Sequence, residues 1–233
     1  MRAPVGIFIG AVAALAAVAV VATGADATRS LNERPALAIA LVALTLTLQV
    51  LSLDVGGKGT VGVSAIGLIV SAILLGAGAA MAIAVVAALT QWARRHGLLH
   101  RAVFDVSNFA LSTGAAAVVY QVATSAGSPL LGTLVGATAA GAAYALVNNG
   151  LLCIAMGIDE RRPLAPIWRE RFHWALPVLL AFGPAAGAVV ALSEGGASSA
   201  VGGALLVSLL LLVALRKLGR ARPLAAPLGG PFA

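Results

Sequence analysis

The chain has 233 residues, 61% of them hydrophobic and 10% charged, whereas soluble domains carry roughly a quarter charged residues. That balance excludes a water-soluble globular domain. The formal charge of +7 does not bring in nucleic acid, because the basic residues flank apolar runs, where the positive-inside rule accounts for them.

Eight apolar runs follow one another in chain order, over residues 4–23, 35–53, 64–75, 77–92, 102–123, 130–158, 174–193 and 201–215. Most reach the roughly 20 residues that a helix needs to cross a 30 Å hydrocarbon core. The first is too long for a signal-peptide core and more runs follow it, so it reads as an uncleaved anchor. The charged stretch 24–34 reads as a loop. Runs three and four form one block interrupted by Gly76-Ala77-Gly78. It is either one strongly tilted helix or two short helices turning at the glycines, which glycine's backbone freedom permits. Basic clusters at Arg94, Arg95 and Arg101, at Arg161, Arg162, Arg169 and Arg171, and at Arg216, Lys217, Arg220 and Arg222 place those connections and the C-terminus in the cytoplasm.

Ionisable and amide groups inside apolar runs are costly in lipid and usually turn inward. Asp105, Asn108 and Ser112 follow i, i+3, i+7 spacing and share one helix face. The next run carries Tyr144, Asn148 and Asn149, at a level that matches Asn108 and Ser112 if the two helices form an antiparallel hairpin. The spacing therefore predicts either interhelical hydrogen bonding or a small polar pocket, and Asp105 could equally be an interfacial anion near a helix N-terminus. Small residues predict close helix approach at Gly132 and Gly136, and at Gly183, Pro184 and Gly187. Between runs six and seven, Trp168, Arg169, Arg171 and Trp174 have the aromatic and cationic character of an interfacial segment.

Chemistry-bearing motifs are sparse. His96 and His100 have i, i+4 spacing but no intervening acid, so they read as solvated surface histidines and not as zinc ligands. No nucleophile elbow, phosphate-binding glycine loop or cysteine cluster occurs. Cys153 is the only cysteine, so it cannot form an intramolecular disulfide, and it reads as a small core residue. The chain is expected to be no enzyme and to need no metal or cofactor.

From residue 62 onward, the succession VSAIGLIVSAILLGAGAAMAIAVVAALTQWARR, HRAVFDVSNFALSTGAAAVVYQ and YALVNNGLLCIAMGIDERRPLAPIWRERFHWALPVLLAFGPAAGAVVAL resembles a known sensor region. It is the multi-span N-terminal region of bacterial HD-GYP phosphodiesterases and GGDEF diguanylate cyclases. That vitamin-uptake-like sensor domain is itself similar to substrate-binding subunits of energy-coupling-factor transporters. The resemblance covers residues 35–215. Phe104, Val147, Asn148, Gly183 and Pro184 match the pattern; Asp105 stands where it usually has Asn, and Ala77 where it often has Pro.

The combined expectation is an all-α, polytopic transmembrane helical bundle of about eight apolar segments with seven or eight crossings. A single membrane domain over 1–215 would be followed by a basic Pro/Gly-rich cytoplasmic tail over 216–233. The resemblance implies a multi-pass inner-membrane sensor or signalling subunit that lacks its own catalytic domain. It would bind a small molecule and work with the lipid bilayer and a separate signalling protein. The alternative is the substrate-binding subunit of a small-molecule transporter.

Overall fold

The structure, a computed structural model, describes residues 3–50, 53–54, 60–61, 63–95, 98–124, 129–173, 176–192 and 203. It is an all-α bundle with one two-residue β-hairpin. Helix α1, Ala3–Ala22, is apolar on every side. It buries only the stripe Val5, Ile9, Val12 and Ala16, and leaves Ile7, Leu15, Val18 and Val21 exposed. The buried stripe lies on α5 (Leu99–Ala123), where the Phe8 and Phe104 ring centroids are 6.3 Å apart. An all-apolar helix with one packed stripe belongs at the lipid-facing edge of a bundle.

The charged stretch after α1 is helical and not a loop. Helix α2, Gly24–Glu33, buries no residue fully and turns by 105° into α3, Pro35–Val50. Its amphipathic pattern gives it one apolar face, and Gly78 of the later helix over Ser64–Arg95 makes room for it. A Cβ at Gly78 would overlap the Thr23 carbonyl oxygen. Pro35 suits a first helical position because its missing N–H would have no partner there. After α3, the strands β1, Leu53–Asp54, and β2, Thr60–Val61, pair antiparallel with Leu53 opposite Val61.

Helix α4, Ser64–Arg95, holds the centre. Gly76 has φ 80° and ψ 178°, which breaks the helix into two halves. The two halves fold back along each other, as their neighbours on α3 demonstrate. A Cβ at Gly67 would lie 2.5 Å from Thr45 Oγ1, while the Gln49 carboxamide donates to Gln91 Oε1. Thr45 and Gln49 are one turn apart, yet Gly67 and Gln91 would be separated by about 36 Å along a straight helix. Only a reversal at Gly76 brings both to α3. The break frees carbonyls near the turn, and the Arg34 guanidinium donates to the Leu74 carbonyl at 3.2 Å.

By length and composition, four helices among the described residues are apolar enough to cross a membrane: α1, α4 taken whole across its break at Gly76, α5 and α6, Pro129–Glu160. The bent α2–α3 pair could make a fifth. This corrects the expectation of about eight segments with seven or eight crossings. The physical reason is that apolarity reports burial, whether in lipid or in protein. Residues 64–75 read as a span, but would cover only about 18 Å as a helix. Ile66, Leu68, Ile69 and Val70 in that half are fully buried by protein. Helix α8, Leu176–Leu192, has 17 residues, short of the roughly 20 that a span needs. The run 201–215, apart from residue 203, and the tail 216–233 lie outside the described residues.

Helices α5, α6 and α8 complete the bundle as successive antiparallel neighbours. Glycine permits a close approach between α6 and α8: a Cβ at Gly141 would sit 2.5 Å from the Gly183 Cα, and one at Gly183 would sit 2.6 Å from the Ala137 carbonyl oxygen. Backbones this close cannot accept a side chain between them.

Candidate functional site

Two places concentrate polar chemistry: the seam between α5 and α6, and the segment that follows α6. At the seam, Asn108 Nδ2 donates to Asn148 Oδ1 at 2.7 Å and to the Asn148 carbonyl at 3.2 Å. Ser112 Oγ donates to the Asn108 carbonyl at 2.6 Å, with a longer approach of 3.4 Å to Asn108 Oδ1. Asn108 and Ser112 are buried, and Asn148 is half-buried. The i, i+4 spacing puts Asn108 and Ser112 on one face, and the antiparallel hairpin puts Asn148 opposite.

Of the other predicted polar residues, Asn149 is buried, but its Nδ2 returns to the Ala145 carbonyl of its own helix at 2.7 Å. Tyr144 is buried in the main apolar core with Ala145 and Phe182. Asp105 is half-buried one turn before Asn108. Thr113, next to Ser112, is fully buried, and its Oγ1 has no hydrogen-bond partner.

A second buried polar seam was not anticipated. Thr45 Oγ1 and Gln49 Oε1 on α3 are buried without hydrogen-bond partners, while the Gln49 amide bonds to Gln91. The signal available in the sequence was the i, i+4 pair Thr45 and Gln49 on one face of an otherwise apolar run.

Of the predicted packing residues, Gly183 meets α6 as described above. Gly187 faces Ala137, and Gly136 faces Thr124 and the Tyr120 ring. Gly132 has no comparably close neighbour, and Pro184 lies on the exposed side of α8.

The segment after α6 forms a short helix, α7, Leu164–Ile167, which runs into a π-helical turn over Trp168–Phe172. Ile167 and Phe172 are buried with Cys153 of α6, and Trp168 stacks obliquely on Phe172 at 5.7 Å. Ion pairs pin the outer side: Arg162 meets Glu170 at 2.9 Å and Glu160 at 3.4 Å, and Arg171 meets Glu160 at 3.6 Å. The Arg162 guanidinium holds the Glu170 carboxyl below the usual carboxylate range. Between α6 and this segment lies an open cavity of about 420 Å³, lined by Gly150, Cys153, Ile154, Leu164, Trp168 and Arg169, among others. Trp174 and His96 lie outside the described residues.

Among the described residues, no group of three or more His, Cys, Asp or Glu could hold a metal ion. A family model, MASE9, matches residues 34–190. Neither a curated protein nor a solved structure matches the chain.

Proposed function

The chain belongs to the MASE9 family, and from that premise we propose that it senses a small molecule at the α5–α6 seam and passes the bound state to a cytoplasmic signalling enzyme. The coarser facts are plain: it is a multi-pass membrane protein and a non-catalytic sensor domain of the MASE kind. The carrying observation is the Asn108–Asn148 bond. A carboxamide pair between two helices presents donors and acceptors that a polar ligand can replace, and the exchange would alter how the helices are held. The enzyme classes that fit are HD-GYP phosphodiesterases and GGDEF cyclases, the partners implied by the resemblance over 35–215.

The transporter-subunit reading is weaker. It required the face around Gly132 and Gly136 to dock a partner, and Gly136 is already occupied by Thr124 and Tyr120 of the same chain.

Native mass spectrometry of the purified protein, with Asn108→Ala and Asn148→Ala beside it, tests the sensing site. The parent should carry a non-lipid mass that both variants lose. Retention of that mass by both variants, or no such mass in the parent, would count against the site.

A further inference from the structure

The cavity beside α6 lies outside the Asn108–Asn148 seam and has a chemistry of its own. Its lining is mostly apolar: Cys153, Ile154, Leu164 and Trp168. A Cβ at Gly150 would meet no atom within 4 Å, so helix α6 itself leaves part of this space open. One cation lines the cavity, Arg169. It is exposed and takes part in none of the ion pairs among the described residues, because Glu160 and Glu170 are held by Arg162 and Arg171.

Depth completes the argument. Helix α6 has 32 residues, about 48 Å at 1.5 Å per residue, so it outruns a 30 Å hydrocarbon core. Its charged end, Asp159 and Glu160, therefore reaches the headgroup layer, and Gly150, about 15 Å further in, lies at the level of the acyl chains. An open apolar groove at that level is within reach of acyl chains, and Arg169 on the segment after α6 is within reach of phosphates. Guanidinium suits phosphate, which it can engage with two parallel N–H donors.

The geometry points to a binding site for one anionic phospholipid. Its acyl chain lies along Ile154, Leu164 and Trp168, and its headgroup phosphate is held by Arg169. A cationic residue near an anionic leaflet favours charged over zwitterionic lipid by about fivefold.

The test is native mass spectrometry of the full chain in detergent, titrated with phosphatidylglycerol and phosphatidylcholine of identical acyl chains. The parent should retain phosphatidylglycerol preferentially. Arg169→Gln should lower that preference about fivefold, while Arg94→Gln, at an exposed arginine elsewhere, leaves it unchanged. Gly150→Leu projects a side chain into the groove from a position where its Cβ meets no atom within 4 Å, and should remove the most tightly retained lipid of either kind. Thermal unfolding in the same detergent checks that the variants remain folded. An unchanged preference in Arg169→Gln, or unchanged lipid retention in Gly150→Leu, overturns the proposal. So does displacement of phosphatidylglycerol by excess inorganic phosphate, which would mark a simple anion site.

Discussion

The α5–α6 seam and the segment after α6 use polar residues in opposite ways. At the seam, Asn108 donates to Asn148 across two helices and Ser112 donates to Asn108 within its own helix, because lipid offers no alternative partners. Beyond α6, Arg162, Glu160, Glu170 and Arg171 pair in the open, where water competes and such pairs contribute little. In that outer region Arg169 lines a cavity and joins no ion pair among the described residues. Interior polarity fixes helix against helix, and rim polarity leaves charge free to meet the membrane surface.

Substitutions can break this comparison, beginning with the bundle interior. Gly183→Val puts a side chain against the Ala137 carbonyl and the Thr138 Cα. Neither can move without shifting α6, so the expected loss is about 3 kcal/mol, read as a large drop in the melting temperature in detergent. Asn148→Ala removes the side-chain acceptor of the interhelical bond and should cost about 1 kcal/mol in the same assay. A larger cost would mean that the seam supports more of the bundle than one bond.

At the rim the sign reverses. Gly150→Ala enters open space and replaces the poorer helix former, so it should stabilise by up to about 1 kcal/mol. A fall in melting temperature would show that the cavity wall is tighter than described. The smallest effect belongs to pH. The folded-state Glu170 carboxyl is depressed by Arg162, so its contribution is present at neutral pH and is lost as pH falls through that lowered value. Hydrogen exchange in 164–172 should therefore begin to rise as pH falls through the usual carboxylate range and level off below the lowered value, and Glu170→Gln should abolish that acid-dependent step.

The sequence carried the seam better than the spans. Asn108 and Ser112 share a helical face by spacing alone, and counting back from the charged end of the next helix puts Asn148 at their level. Nothing comparable identified the fold of residues 64–95. Ile66, Leu68 and Ile69 are as hydrophobic when enclosed by protein as they would be in lipid, so the apolar pattern overstated the number of crossings. Gly76 was visible as a place where a turn was possible; its positive φ and the contacts of Thr45 and Gln49 are what establish the reversal. Helix α2 was hidden because Arg29, Asp26 and Glu33 gave its short sequence the composition of a loop. The cavity was hidden for another reason: Gly150, Cys153 and Ile154 look like any stretch of an apolar helix until the Trp168 turn folds over them.

The central claim is that the chain has two separable sites, a polar one at the α5–α6 seam and a lipid one beside α6. Native mass spectrometry of the parent, Asn148→Ala and Arg169→Gln in one phosphatidylglycerol titration tests it most directly. The account predicts that Asn148→Ala loses the small non-lipid mass and keeps its lipid preference, while Arg169→Gln does the reverse. Loss of both by either substitution, or of neither by both, would contradict it.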